Sequence, residues 1–351
     1  MSRRFRLTLF VGLAAATGLV AFVGPKDEVR FAVAEGTTLT KSFETSMEMS
    51  LDDLIISFNG QELDPAAMGA DFDLADANGS FGYVLSVVDE YGKIADGKPA
   101  MLRRTIDTLM GEYSSGMGDS GSESAPIEGE TLVYTWDAEE DAYAIKLDSE
   151  DAAVDPEDYE MMAEDLDLRS MLPKDSVSEG DSWTIGGRDM MGVLVPGLDV
   201  NKAIDAANEE ASNGDVPIEL EEFMDSVAEG MVLELTYAGT REVDGRSLMV
   251  IEIGGDFEQN LDLSDMILEA ISAEMPPEAS VDLSVVIEMA AEATGEMLWD
   301  GKAGHFVSMD MEMDFVMVID ARGDVDAGGQ AMDGGIEAEA SMHMVRKATA
   351  E

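Results

Sequence analysis

Regularly spaced methionines are the residues of this chain whose pattern most suggests chemistry. Met309, Met311 and Met313 alternate with acidic residues, so their thioethers share one face of a strand. Soft thioether sulfur suits Cu(I). The alternative is that flexible methionine side chains fill an adaptable sheet core, and it is favoured because His343 points to the opposite face from its two neighbours. The residues of the copper hypothesis are Met309, Met311, Met313, Met342, His343 and Met344.

An acidic loop supports a second metal hypothesis. Oxygen donors crowd just before Gly79, and a hard cation such as Ca²⁺ takes about six to eight oxygen ligands. The spacing departs from a helix–loop–helix calcium site, because no glutamate falls at the required distance. Acidic turn residues that solvate a loop are the alternative and favoured interpretation. The candidate calcium ligands are Asp71, Asp73, Asp76 and Asn78.

The sequence contains no recognisable catalytic motif. His305 and His343 stand outside any nucleophile or metalloprotease motif, and a Ser-His-Asp mechanism needs a histidine to move the proton. The absence of cysteine excludes thiol nucleophiles, thiolate metal sites and disulfides. No glycine-rich loop followed by lysine is present to hold phosphate. The sequence therefore predicts a non-enzymatic protein without a cofactor, apart from the two metal hypotheses.

Alternating apolar and polar residues predict that most of the chain forms strands with one buried face. Residues 305–319 are the longest regular candidate, and Lys41 falls on the apolar face of residues 37–49. Asp244-Gly245 predicts a tight hairpin turn within 231–253, because both positions accept positive φ. Further candidates are 79–91, a hairpin over 131–147, 281–290, 295–299 and 335–345, the last at an edge of the sheet.

Helices are few in this pattern. Residues 156–171 begin after Asp155, a suitable N-cap, and carry acids in the first turn; residues 200–211 and 263–273 are the other candidates. The predicted fold is mainly β with a few helices. It is either one long antiparallel curved sheet, or half-barrel, or two related sheets.

The N-terminus predicts export from the cytoplasm. Arg3, Arg4 and Arg6 precede an uncharged apolar stretch over residues 7–23, which is the arrangement of a signal peptide or an N-terminal membrane anchor. Residues 1–24 are assigned to this segment, and residues 25–212 and 213–351 to two β-rich halves, or to one continuous domain. The predicted location is the periplasm, the cell envelope or the extracellular space.

The net charge limits the partners of this protein. Asp and Glu number 75 and Lys and Arg 21, which leaves a formal charge of −54. Such a surface repels nucleic acid, and it repels anionic membrane surfaces beyond an N-terminal anchor. It also gives strong hydration at high salt, where charge repulsion is screened.

One segment resembles a known group of proteins. Residues 172–183 read Leu-Pro-Lys-Asp-Ser-Val-Ser-Glu-Gly-Asp-Ser-Trp, which resembles a Leu-Pro…Val…Gly-Asp-x-Trp element of uncharacterised exported bacterial β-proteins. These are loosely similar to the half-barrel of bacterial lipoprotein carriers, whose concave sheet holds acyl chains. The chain departs from that pattern because it has no cysteine for lipid attachment. The resemblance implies an exported envelope or secreted protein that binds an apolar small molecule or lipid; metal binding and a purely structural role are the alternatives.

Overall fold

One large antiparallel sheet organises the molecule. The computed structural model describes residues 26–63, 74–149, 154–204, 226–227, 230–272, 279–327 and 330–351. Within them, a curved 13-stranded sheet follows the order β10-β11-β12-β13-β14-β15-β1-β3-β6-β8-β9, with β2 beside β1 and β7 beside β6, and β4 and β5 form a separate pair. The prediction of a mainly β protein with one long curved sheet is confirmed.

The strands vary from short edge pieces to very long central ones. The central strands reach 21 to 23 residues. Their bounds are β1 Thr38–Phe58, β2 Gln61–Leu63, β3 Gly79–Tyr91, β4 Ile94–Ala95, β5 Lys98–Pro99, β6 Met101–Ser115, β7 Ser120–Ser124, β8 Thr131–Asp137, β9 Ala142–Leu147, β10 Ser182–Gly186, β11 Val232–Val243, β12 Arg246–Asp262, β13 Ala279–Asp300, β14 His305–Ala327 and β15 Gln330–Ala350.

The two ends of the described chain meet in the middle of the sheet. β15 pairs with β14 on one side and with β1 on the other. The prediction that residues 335–345 form an edge strand is therefore wrong. An edge strand pairs with one neighbour only, whereas β15 pairs with both β14 and β1. The same pairing joins strands of both sequence halves in one sheet; the boundary considered near residue 212 lies outside the described residues.

Hairpin chemistry follows the sequence closely. Asp244 and Gly245 adopt φ of 51° and 77° between β11 and β12, as a two-residue turn of this type requires. The predicted hairpin over 131–147 is present as β8 and β9. The longest predicted strand candidate is also the longest strand, β14 with 23 residues.

Helices in the described residues are short. Helix α1 spans Arg188–Leu194 and helix α2 spans Ser264–Ser272, close to the predicted 263–273. Residues 200–204 are helical, and the remainder of the predicted 200–211 lies outside the described residues. Short 3-10 turns span Leu74–Ala77, Pro156–Asp158 and Arg169–Met171. No described helix has the length and apolar character needed to cross a membrane.

The predicted helix over 156–171 is replaced by an irregular segment. Only its two ends form 3-10 turns. Near its middle, the Asp165 carboxylate accepts the Asp167 backbone N–H, and Leu168 takes a left-handed φ of 55°. These local bends turn Asp167 into the core, where it pairs with Lys41 of the sheet. A tertiary ion pair has therefore overridden the local helix pattern.

A covering layer closes one face of the sheet, which we call the inner face. The layer consists of residues 27–33, 154–181 and 187–204, and its core residues include Phe31, Leu166, Met171 and Met190. The segment with the Leu-Pro…Gly-Asp-x-Trp element fastens it: Val177 and Asp27 exchange two backbone hydrogen bonds, and the Trp183 indole N–H donates to the Met171 carbonyl at 2.9 Å. The opposite, outer face is acidic and solvated, with Asp310, Glu312 and Asp314 all exposed.

Candidate functional site

The inner face combines an apolar surface with a few deeply buried charges. Strand alternation places Leu39, Lys41, Phe43 and Thr45 of β1 on this face, and all four are buried. Buried charged residues are rare in proteins unless they are paired. The charges of the inner face therefore indicate either a structural network or a ligand site, and their hydrogen bonds distinguish the two cases.

One set of charges forms a fully buried network, which we call the ion network: Lys41, Asp89, Arg104 and Asp167. The Lys41 ammonium lies 2.9 Å from Asp89 Oδ2 and 2.6 Å from Asp167 Oδ1. The Arg104 guanidinium donates to both Asp89 oxygens at 2.7 and 2.8 Å. The Tyr91 hydroxyl donates to Asp167 at 2.6 Å. Each group finds an opposite charge, as buried ions must.

The ion network ties the covering layer to the sheet. Besides pairing with Asp89, Arg104 donates to the backbone carbonyls of Ala163 and Glu164 at 2.7 and 2.9 Å. Burial alone would raise the pKa of Asp89, but the charges of Arg104 and Lys41 outweigh burial and hold that pKa at about 2. The carboxylate is thus ionised under ordinary conditions. Both Asp89 oxygens and Asp167 Oδ1 are paired within the protein, and Asp167 Oδ2 alone has no partner among the described residues, so we interpret the network as structural.

Arg346 presents the opposite case. Its side chain is fully buried on the inner face of β15, yet its Nε and both terminal nitrogens have no hydrogen-bond partner among the described residues. Its cross-strand neighbours are Thr45 and Met311, and the Phe43 ring centroid lies 5.8 Å from the guanidinium carbon. Burial lowers the pKa of Arg346 to about 9, opposed by Tyr83. The guanidinium remains charged at neutral pH, and no carboxylate of the described residues lies beside it.

Methionines surround this arginine. Met309, Met311 and Met313 are buried in the hydrophobic core, and Met344 pairs with Met313 across β14 and β15. The structure therefore brings four of the copper-hypothesis methionines together on the inner face. A buried guanidinium is the cross-strand neighbour of Met311, and its charge opposes binding of another cation there.

The histidine of the copper hypothesis lies elsewhere. His343 is on the outer face, where its Nδ1 lies 2.8 Å from Asp314 Oδ1. This hydrogen bond raises the pKa of His343. The histidine and the buried methionines are thus on opposite faces of one sheet, as the alternation of the sequence predicts.

The candidate calcium loop is described only in part. Asp71 and Asp73 lie outside the described residues, and Asp76 belongs to the 3-10 turn Leu74–Ala77. Asn78 Oδ1 accepts the backbone N–H of Leu51 at 3.1 Å, so this oxygen has a structural role. Across the described part of the chain, no three His, Cys, Asp or Glu side chains are grouped to hold a metal ion.

The apolar inner face continues beyond the covering layer into solvent. We call this region the exposed end; its residues Met49, Phe58, Phe81, Tyr113 and Ile336 are 51, 45, 39, 56 and 47 % exposed. A cleft of about 610 Å³ opens at the level of Met49, and its lining includes Phe315 and Met342 together with outer-face residues such as His343. Large exposed apolar side chains of this kind make the exposed end the candidate binding surface.

Sequence reasoning did not single out the buried charges as a site. The signal was present: Lys41 alternates with Leu39 and Phe43, and Arg346 alternates with Met342 and Met344. Alternation assigns each residue to a face, but it does not reveal which cation has an anionic partner, because Asp89 and Asp167 come from distant parts of the chain.

Comparisons with known proteins leave the family of this chain open. No protein-family model matches it, and a search of the curated proteins finds no match. Among solved structures, the outer membrane protein OprG from Pseudomonas aeruginosa is 5 % identical with a TM-score of 0.21, over 90 % of this chain and 97 % of that one. A DUF1329 family protein from Desulfovibrio piger is 10 % identical with a TM-score of 0.11, over 85 % and 83 %. At these scores neither likeness supports an argument about fold or function.

Proposed function

We propose that this protein is an exported cell-envelope or secreted protein that binds an apolar or lipidic ligand on the inner face of its sheet. The observation that carries the proposal is the exposed end of the inner face. There the same alternation that buries the core leaves large apolar side chains half in water, for example Met49 at 51 % and Ile336 at 47 % exposure.

The composition of the surface supports this function. A chain with a formal charge of −54 has abundant polar residues for a solvated surface, and the outer face uses them, as Asp310 and Glu312 illustrate. Keeping apolar residues on the inner face at the exposed end costs solubility. A ligand that covers them removes this cost by taking apolar area out of water.

The methionines near the exposed end favour binding of a ligand whose shape can vary. Met47, Met49 and Met342 lie at or next to the exposed end, and the unbranched thioether side chain adapts to irregular apolar partners. In contrast to these adaptable side chains, the ion network beneath the covering layer is rigid, because each of its members pairs with an opposite charge. A rigid ion network together with an adaptable apolar surface suits a protein that binds a ligand without catalysing a reaction.

Ligand binding is tested by native mass spectrometry of the purified full-length protein, before and after delipidation. We expect an additional mass from a co-purifying lipid, and rebinding of palmitate after delipidation. Ile336→Asp should abolish rebinding, because it places a charge on the exposed end. Val232→Asp is the matched control, since Val232 is 40 % exposed but lies on the outer face of β11, away from the exposed end. Equal effects of the two variants, or no bound lipid in the wild type, would overturn the proposal.

Export is tested separately by fractionating cells that express the chain with and without residues 1–24. We expect the full chain outside the cytoplasm and the shortened chain inside it, because Arg3, Arg4 and Arg6 followed by an apolar stretch form the predicted export signal. Equal distribution of the two forms would show that these residues do not direct export.

A further inference from the structure

Arg346 has a chemical requirement that the described protein does not meet. Within the part of the chain that the structure describes, both terminal nitrogens and Nε are buried without a hydrogen-bond partner, and the neighbouring Thr45 hydroxyl has none either. A buried guanidinium without an anion or acceptors is strongly unfavourable, because water has been removed and nothing replaces it. Two adjacent unpartnered polar groups therefore point to a polar ligand at this position.

Arg104 shows what the same fold does with an arginine that is purely structural. It is as deeply buried as Arg346 and lies on the same face. Its guanidinium makes two hydrogen bonds to Asp89 and two to backbone carbonyls. A chain with 75 acidic residues places a carboxylate beside Arg104 and, within the described residues, none beside Arg346. The difference is in the chemistry supplied to each arginine and not in its burial.

The surroundings of Arg346 define the rest of the ligand. We call residues that are aligned across neighbouring strands a row. The row of Arg346 contains Met311 of β14 on one side, and Thr45 of β1 followed by Tyr83 of β3 on the other. The Tyr83 hydroxyl donates to the Pro196 carbonyl at 3.1 Å, so it is occupied by the covering layer. The next row towards the exposed end contains Met313, Met344 and Met47. A single fixed cation is thus followed by apolar side chains only.

The arginine is within reach of the exposed end. Met342 and Met49 face each other in the second row beyond Arg346, a distance of about 14 Å at roughly 3.4 Å per residue. Met49 is 51 % exposed, whereas Met344 in the intervening row is 3 % exposed. Successive rows of apolar side chains therefore lead from the buried guanidinium to the half-exposed Met49, with methionines at the transition.

We propose that Arg346 is an anion-binding residue and that the ligand of the inner face is an amphiphile with a carboxylate head group, of the long-chain fatty acid class. This inference rests on the proposed function. The carboxylate accepts two hydrogen bonds from the planar guanidinium, a match that lysine cannot make, and a third from the Thr45 hydroxyl. The acyl chain lies along the methionine rows towards the exposed end.

The test uses delipidated full-length protein and three probes with the same chain length: palmitate, hexadecanol and 1-palmitoyl-lysophosphatidate. Affinities are measured by isothermal titration calorimetry. We expect the wild type to bind palmitate at least ten-fold more tightly than hexadecanol, and more tightly than the lysophosphatidate. Arg346→Met should remove the preference for palmitate over hexadecanol while hexadecanol binding persists. Lys347→Met is the matched control, because this neighbour is exposed on the outer face, and it should keep the preference.

The outcomes separate this inference from the function on which it rests. If the wild type binds neither palmitate nor hexadecanol, the proposed function fails. If it binds both equally, or if Arg346→Met keeps the palmitate preference, the function stands and the role of Arg346 is overturned. Tighter binding of the lysophosphatidate overturns the carboxylate assignment in favour of a phosphate head group. The wild-type probe comparison does not depend on whether the variant folds.

Thermal unfolding adds a readout in the ligand-free protein. Arg346→Met should raise the Tm, because methionine fills a similar volume without a buried unpaired charge, and palmitate should then raise the Tm of the variant less than that of the wild type. A lower Tm of the ligand-free variant would show that Arg346 has a structural partner, and would contradict the inference.

Discussion

At the scale of single residues, the buried charges of the inner face divide by the partners they find. Lys41 has two carboxylates within 2.9 Å, whereas the three guanidinium nitrogens of Arg346 have no partner among the described residues. Burial is the same in both cases, so exposure alone would not distinguish a stabilising charge from a binding one. The hydrogen bonds make that distinction.

Lys41 is predicted to stabilise the fold strongly. Lys41→Met leaves Asp89 and Asp167 buried with one cation removed, and breaking a buried pair in this way costs about 3–5 kcal/mol. Urea denaturation of both proteins should show this loss in the free energy of unfolding. Arg241→Met is the control: it breaks a bidentate but exposed pair with Glu296, and only a small loss, well below that of Lys41→Met, is expected. Similar losses in the two variants would contradict a special role of the ion network.

The shifted pKa values of Asp89 and Glu164 predict that these two groups change the stability of the fold with pH in opposite directions. The pKa of Asp89 is about 2 in the folded protein, below its ordinary value of 3.8, so its contribution is present above pH 3.8 and is lost as the pH falls towards about 2. Burial raises the pKa of Glu164 from 4.5 to about 7 despite Arg169. The folded state therefore binds the extra proton in this window, and stability falls as the pH rises from 4.5 to 7.

The experiment is chemical denaturation as a function of pH for the wild type and Glu164→Gln. We expect the free energy of unfolding of the wild type to rise between about pH 2 and 4 and to decline between pH 4.5 and 7. Glu164→Gln should flatten the decline and leave the rise at low pH in place. A decline of unchanged steepness in the variant would assign that pH dependence to other groups.

At the scale of elements, the covering layer is attached to the sheet by buried ion pairs and by close packing. The irregular segment between Pro156–Asp158 and Arg169–Met171 carries Asp167 into the ion network, which a continuous helix would not do. Gly197 of the same layer lies close against β3: its φ is +83°, and a Cβ there would lie 2.9 Å from Leu85 Cδ2. The covering layer is thus held to the sheet by the ion network at Asp167 and packs closely against β3 at Gly197.

The methionines of β14 are predicted to be core residues. The triple variant Met309→Leu, Met311→Leu and Met313→Leu keeps the apolar volume, and swaps of this kind usually cost less than about 1.5 kcal/mol each. We expect a modest change in Tm and an unchanged affinity for Cu(I) in a titration under reducing conditions. A large loss of Cu(I) affinity would revive the copper hypothesis. Met311→Ala is the comparison for packing and should cost about 2–5 kcal/mol.

At the scale of the whole molecule, the sheet separates two environments. Its inner face holds the core, the ion network and the exposed end, and its outer face carries acids such as Asp310 and Asp314. β1 and β15 meet in the middle and join the two ends of the described chain. The proposed ligand surface therefore draws on strands from both sequence halves.

The net charge predicts a stability that depends on salt. With a formal charge of −54, self-repulsion destabilises the compact state, and the screening length falls to about 3 Å at roughly 1 M salt. The Tm at pH 7 should therefore rise between low and high NaCl concentration. Near pH 4, where many acids are protonated, the rise should be smaller. An equal rise at both pH values would point to a general salt effect instead of charge screening.

Several long strands, their faces and the acidic exterior of this protein are predictable from the sequence, whereas strands β6 and β10 are not among the predicted ones. Alternation placed Lys41 beside Leu39 and Phe43, and it separated His343 from the methionines, because a strand sends successive side chains to opposite faces. These properties are local, so composition and periodicity are sufficient to predict them.

The partners of the strands and of the buried charges depend on the tertiary structure. It placed β15 in the middle of the sheet, replaced the predicted helix over 156–171, paired Lys41 with Asp167, and left Arg346 without a partner among the described residues. Each of these depends on contacts between residues far apart in the chain, and the free energy of a buried charge is set by those contacts. The candidate site is defined by them, and local periodicity does not contain that information.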